Sequence, residues 1–178
     1  VVSSFYSTKF QRHIEELLVA PVPNWVILTG YIGGGVIRGL LVGGVVTLIA
    51  MAFTDLQVYQ WYLSIAVIFL TALLFSLAGF INAIFADSFD DISIIPNFVL
   101  TPLSYLGGVF YSVSMLPDIW QKIALANPIL YMINAFRYSF IGVSDIDVWV
   151  ALTMAGGFVI LLFIFCLWLL HKGIGIKS

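Results

Sequence analysis

The chain has 178 residues, 62% of them hydrophobic and only 9% charged, with a mean hydropathy of +1.11 and a formal net charge of −2. A soluble domain is about 25% charged, which at this length asks for roughly 45 charged side chains; seven Lys or Arg and nine Asp or Glu cannot cover a water-facing surface. Disorder is excluded by 15 Phe, 8 Tyr and 5 Trp, a nucleic-acid face by the lack of basic excess, and a disulfide framework or Cys-based metal site by the single cysteine, Cys166, which leaves an all-α polytopic membrane protein.

The opening stretch, Val1 to Tyr6, is apolar, with neither an initiator Met nor a charged region ahead of a cleavage site, so it does not read as a signal peptide. Residues 1–9 are expected to be the end of a membrane span that starts upstream, in a chain of which this is the later part. From Phe10 to Ala20 the pattern turns amphipathic. Phe10, Ile14, Leu17 and Leu18 fall on one helical face, and Gln11, Arg12, His13, Glu15 and Glu16 occupy the rest. Pro21 and Pro23 end this helix, since Pro removes a backbone donor and clashes with the preceding turn. Such a helix either floats on lipid headgroups or meets a protein. Glu15 and Glu16 favour the protein, because membrane-surface helices carry Lys and Arg on the polar face.

Residues 30–53 form the next expected span, interrupted by one charge, Arg38. A central Arg costs about 3 kcal/mol on insertion scales, less than some twenty apolar residues return. Residues 59–86 are a second, uncharged between Asp55 and Asp87, with Trp61 and Tyr62 at its interface end. Asp87, Asp90 and Asp91 lack the Gly turn and distal Glu of a calcium loop; capping the next helix near its positive end is the better reading, with contact to a partner as an alternative. Residues 92–113 are a third uncharged run, broken by Pro96 and Pro102. Residues 114–142 hold Asp118, Lys122 and Arg137 and break at Asn127-Pro128. Pro117 and Pro128 suit first turns, Asn127 an N-cap and Gly142 a stop, giving two helices too short to cross alone. Residues 148–170 are the last span, closed by His171 and Lys172. Lys9 and Arg12 on one flank, and Lys172 and Lys177 on the other, put both ends in the cytoplasm. Four crossings between them satisfy that; the Asp87–Asp91 loop is then cytoplasmic and the short helices are extracytoplasmic or re-entrant.

Three motifs in order carry a resemblance over essentially the whole chain. Phe10-Gln-Arg-His-Ile-Glu-Glu-Leu-Leu-Val-Ala-Pro-Val-Pro23 resembles the coupling-helix segment of ATP-binding-cassette exporter permeases of the second type (ABC type-2 permeases). Phe89-Asp-Asp-Ile92 and Pro102-Leu-Ser-Tyr-Leu-Gly-Gly-Val-Phe-Tyr111 are similar to that family's fifth span and the loop before it. Pro117, Asn127-Pro128-Ile-Leu-Tyr131 and Ala135-Phe136-Arg137 resemble its Leu-Pro … Asn-Pro-hydrophobic-x-Tyr … Arg signature. The closest likeness is to bacterial inner-membrane permeases of unassigned substrate. The departure is at the front, where the family's interfacial helix, first span and most of the second are absent.

The resemblance implies a six-span permease in which two copies pair with two cytoplasmic ATPase subunits. The coupling helix would dock on the ATPase through Gln11, Arg12, His13, Glu15 and Glu16. ATP and Mg would be bound by the partner subunit, with no cofactor or metal on this chain; Gly33-Gly34-Gly35 has no following Lys and is no phosphate loop. Those glycines, with Gly30 and Gly39, suit close helix packing. Arg38 is the candidate for the translocation path, with snorkelling to the interface as the alternative. Asn127, Tyr131 and Arg137 are read as structural first and as an extracytoplasmic gate second, since Tyr131 and Arg137 point to different faces. His13 has no second His at i+4, so no zinc-protease pattern exists, and no Ser-His-Asp set is supported. A membrane-embedded lipid-modifying enzyme would need an inward-facing His, Cys or acidic cluster, and a secondary transporter would need midplane ion sites; every Asp and Glu lies between the expected spans. The transported substrate is not legible.

Overall fold

In the computed structural model, residues 1–11, 22–54 and 58–174 are described, and every regular element among them is helical. They are α1 (Val2–Phe10), α2 (Asn24–Phe53), α3 (Trp61–Phe85), α4 (Phe89–Ile95), a π-helical stretch (Pro96–Leu100), α5 (Thr101–Leu106), a 3-10 turn (Val113–Met115), α6 (Asp118–Ala124), α7 (Pro128–Ile141) and α8 (Val148–Lys172). Arg12, His13, Glu15 and Glu16, which the coupling reading relies on, lie outside the described residues, as do Asp55 and Lys177.

Three of these helices, α2, α3 and α8, are long and apolar enough to cross a membrane. At 1.5 Å per residue each exceeds the ~30 Å of a hydrocarbon core. The helix expected from residue 30 starts at Asn24, directly after the Pro23 that fixes an extended entry. The span expected over 92–113 is helical over 89–106 instead, starting at the acidic cap and built as a composite of 7, 5 and 6 residues. Its backbone stays right-handed through both junctions, at Pro96 and Thr101. Each proline removes a donor, and the widened π turn absorbs that loss without breaking the helix. The run stops at Gly107 and Gly108, the latter at φ +79, where the chain reverses. Pro117, expected in a first turn, sits one residue earlier, as the extended residue before α6.

Helix ends follow local chemistry. Asp147 caps α8 by accepting from the Trp149 and Val150 N–H groups, and Gly173 at φ +66 closes the helix in the left-handed conformation. Gly142, at φ +70, does the same for α7.

Helix α3 is the hub, touching α1, α2, α7 and α8. At its C-terminal end, Phe5, Leu28, Ile32, Val36, Leu77, Phe80 and Leu169 form one buried cluster. At its N-terminal end, Leu63 and Val67 pack with Tyr131, Ala135, Val148 and Ala151. The second half of α2, by contrast, keeps Leu41, Val45, Leu48 and Phe53 exposed, as a helix bathed in lipid can.

Candidate functional site

Asn127, Tyr131 and Arg137 all sit on α7 and all reach main-chain groups. Asn127 caps the helix: its Oδ1 accepts from the Ile129 N–H at 3.0 Å. Its Nδ2 donates to the Leu103 carbonyl at 2.6 Å, tying α7 to the composite helix. Tyr131 donates its hydroxyl to the Leu125 carbonyl at 2.6 Å while its ring stays buried against α3 and α8. Arg137 Nη2 donates to the Gly108 carbonyl at 2.6 Å, and its Nη1 lies 3.3 Å from Asp145 Oδ2. Six residues apart, Tyr131 and Arg137 lie on different faces of the helix, Tyr131 closing the turn before it and Arg137 the loop after the composite helix.

Three members of this network, Asn134, Ser144 and Asp145, escape a sequence reading. Asn134 is 1% exposed; its Nδ2 donates to the Leu130 carbonyl, and its Oδ1 accepts from the Asp145 N–H at 2.9 Å. Ser144 Oγ is 3.2 Å from that Oδ1 and 2.6 Å from the Ile146 carbonyl, so its single proton serves one of the two. Asp145 thereby faces Arg137 and accepts from the Val113 N–H at 3.3 Å. The signal available was spacing: Asn127 and Asn134 are seven residues apart, two helical turns, on one face of the helix. What the spacing does not tell is that the face meets the 143–147 loop.

At the opposite end of the bundle, Lys9 Nζ donates to the Ile84 and Ala86 carbonyls at 2.9 and 3.0 Å. A cation there satisfies the free carbonyls and opposes the helix dipole. Tyr6 donates to the Asp87 carbonyl and Tyr31 to Thr8 Oγ1, each at 3.0 Å. The end of α1, where Phe10 and Gln11 lead into the amphipathic segment, is thus fastened to the end of α3. Beyond it, Ser88 and Asp91 form a capping box: Ser88 Oγ accepts from the Asp91 N–H, and Asp91 Oδ2 accepts from the Ser88 and Asp87 N–H groups. The Ser88 hydroxyl first, and then the Asp87 N–H, hold the Asp91 carboxyl below its usual range. Asn82 Nδ2 reaches over to the Ile92 carbonyl at 3.1 Å. The acidic loop therefore caps a helix, and no grouping of metal-ligating side chains occurs among the described residues.

Arg38 is separate from both networks. It is exposed on α2 and lines an open groove of about 500 Å³ with Thr71, Phe75, Ser76 and, from α7, Phe136. Its neighbour Gly39 faces Ala72, near the middle of α3. Because α2 starts at Asn24, Arg38 lies about 21 Å along its helix, rather than the two turns suggested by a start at residue 30. The one ion pair among the described residues is Arg137–Asp145, so Arg38 has no acidic partner there.

A bundle of apolar helices whose polar side chains cap helix ends and brace loops is that of a membrane-embedded protein. The ABC-2 type transporter family matches residues 1–141. The chain is 52% identical, over all 178 residues and 70% of the relative's length, to the inner membrane transport permease YadH of Escherichia coli strain K12. It is 26% identical to nodulation protein J of Rhizobium leguminosarum bv. trifolii over 148 residues, 83% of this chain and 56% of that one. To nodulation protein J of Sinorhizobium fredii strain NBRC 101917 / NGR234 it is 26% identical over 135 residues, 76% of this chain and 52% of that one. No solved structure matches. The chain belongs to the ABC-2 type transporter family and is a membrane transport permease.

Proposed function

We propose that this chain is the membrane subunit of an ATP-driven exporter of the inner membrane, working as two copies with a separate cytoplasmic ATP-binding-cassette ATPase. The carrying observation is the family match from the first residue through α7, the stretch that holds the amphipathic segment, the acidic cap and the braced short helices. In this reading residues 10–20 dock on the ATPase through Gln11, Arg12, His13, Glu15 and Glu16. ATP and Mg are held by that partner, and no step of ATP chemistry belongs to this chain. Both ends of the segment face the cytoplasm, the composite helix is a fourth crossing, and α6 and α7 sit on the extracytoplasmic side.

The bonding at the end of α1 supports a coupling route. A displacement of the docked segment pulls on Phe10 and Gln11, and Lys9 and Tyr6 pass it to the end of α3 and the start of α4. Packed helices respond to such a push by sliding between discrete arrangements, as alternating access requires. At the far end Asn127, Tyr131 and Arg137 hold the short helices that would close the path, and Arg38 is the residue offered to a passing anionic group.

The test is co-purification and coupled ATP hydrolysis with Glu15 and Glu16 both reversed to Lys. Loss of ATPase association with a permease that still folds is the expected result; intact assembly and coupled hydrolysis refute the docking assignment. For Arg38, transport by Arg38→Ala and Arg38→Glu is compared, and unchanged transport in both removes it from the path.

A further inference from the structure

Helix α3 is fastened to other segments at both ends. At its C-terminal end the Ile84 and Ala86 carbonyls accept from Lys9, and the Asp87 carbonyl accepts from Tyr6. At its N-terminal end, the two residues leading into the helix run beside the last turn of α7. The Tyr59 N–H donates to the Phe140 carbonyl at 3.2 Å, and the Gln60 N–H to the Ser139 carbonyl at 2.9 Å. A helix leaves its last carbonyls without partners of its own; two of those of α7 are satisfied by the lead-in of α3. The Tyr59 ring covers this junction. It faces Gly142, where a Cβ would stand 3.5 Å from it, and meets the Tyr138 ring edge-on with centroids 5.8 Å apart. Its hydroxyl has no partner among the described residues.

Between these junctions α3 is a single helix of 25 residues, roughly 37 Å long, with neither proline nor π turn to bend it. The other two long helices are held differently. Helix α2 is bonded to α1 near its start, through Tyr31 and Thr8, but beyond Gly39 it leaves α3: a Cβ added at Gly43 or Gly44 would meet nothing within 4 Å. Helix α8 joins the cluster around Phe5 through Leu169 and Leu170, an apolar contact without directional hold.

We propose that α3 carries a displacement of the docking segment across the membrane to α7, and that Tyr59 is the positioning residue that fixes α7 to it. This rests on the reading of residues 10–20 as the segment docked on the ATPase. Lys9 and Tyr6 deliver the displacement to the C-terminal end of α3. The unbroken helix moves as one body, and the paired main-chain bonds at Tyr59 and Gln60 hand the motion to the last turn of α7. Helix α7 does not move alone. Asn127 holds the Leu103 carbonyl and Arg137 the Gly108 carbonyl, so the end of the composite helix follows it. One axial shift of α3 thereby moves the cover of the path as a unit. The Tyr59 ring matters because the junction lies at a helix start beside Trp61, where water competes for both carbonyls.

The test uses the full-length permease co-purified with its ATPase in lipid nanodiscs. Cys166→Ser removes the native thiol, and Leu125→Cys places a reporter on the exposed turn before α7. Labelling by a water-soluble maleimide is timed without nucleotide and with ATP plus vanadate. In this reference protein the rate is expected to change with nucleotide. Tyr59→Ala is expected to keep the bound ATPase and vanadate trapping, yet to label at the same rate in both conditions. Tyr59 is largely exposed, so its removal leaves the core in place, and the co-purified ATPase reports assembly. Tyr59→Phe loses only the unpartnered hydroxyl and is expected to respond as the reference does. A nucleotide response that survives Tyr59→Ala overturns the proposal, and so does a reference protein that shows none. Lys9→Met, at the opposite end of α3, supplies the second arm. It is expected to silence the reporter as Tyr59→Ala does, and the double variant to lose nothing more. Two partial losses that add would reveal parallel routes and overturn the proposal as well. Failure of the docking reading looks different: with Glu15 and Glu16 reversed, it is the loss or retention of the ATPase itself that decides.

Discussion

Replacing Arg137 by Met isolates the contribution of the α7 brace, because Met retains the apolar stem and removes the guanidinium. Two interactions are lost. The bond to the buried Gly108 carbonyl is short, at 2.6 Å, and has a charged donor, a class worth about 1.5–3 kcal/mol. The ion pair with Asp145 is longer, at 3.3 Å, with side chains 23% and 25% exposed, and such partly solvated pairs contribute about 0.2–1 kcal/mol. Together they predict a loss of about 2–4 kcal/mol, dominated by the main-chain acceptor. Equilibrium unfolding in mixed detergent micelles measures it, and a double-mutant cycle with Asp145→Asn apportions it, since Asn still offers an oxygen to the Val113 N–H. The expected coupling energy is under about 1 kcal/mol. A total loss below about 0.5 kcal/mol, or a cycle in which Asp145 accounts for most of the effect, refutes the assignment of Arg137 as a brace of the Gly108 turn.

Three further outcomes follow from particular contacts. Asn127→Ala removes an N-cap and strands the Leu103 carbonyl, so α7 should lose about 1–2 kcal/mol, read as faster amide exchange in its first turn; unchanged exchange contradicts the cap. Gly108→Ala forces a side chain into a left-handed conformation, with its Cβ 3.1 Å from the Tyr111 carbonyl oxygen, and should destabilise by about 1–3 kcal/mol, whereas Gly34→Ala, which meets nothing within 4 Å, should be tolerated; equal effects at the two positions would rule this out. Asp91 has a lowered carboxyl pKa, so its contribution to the cap is complete above the ordinary carboxylate range and disappears only as the pH falls through the lowered value. In Ser88→Ala the titration of Asp91, followed by NMR or infrared spectroscopy, should move back up, and an unmoved titration would show that the Ser88 hydroxyl is not the cause.

Much of this arrangement is legible along the chain. The scarcity of charge demands a membrane, and the placement of what charge remains separates spans from loops, because an ion in hydrocarbon is expensive wherever it falls. Asn127-Pro128, Gly142 and the acidic loop ending at Asp91 mark helix ends by local chemistry alone, and each does so in the structure. Three decisions required the tertiary structure. The prolines at 96 and 102 and the glycines at 107 and 108 leave open where the uncharged run from 92 onward is helical; a π turn keeps it continuous and Gly108 ends it. Lys9 reads in sequence as a topological charge, yet only the return of α3 beside α1 makes it the cap of another helix, 75 residues away. Asn134 and Asp145 are unremarkable at their own positions and form a network because α7 and the following loop fold onto each other. Composition and capping are properties of a residue and its near neighbours, so sequence states them; partners for side chains are supplied by segments distant along the chain, so only the packed bundle decides them.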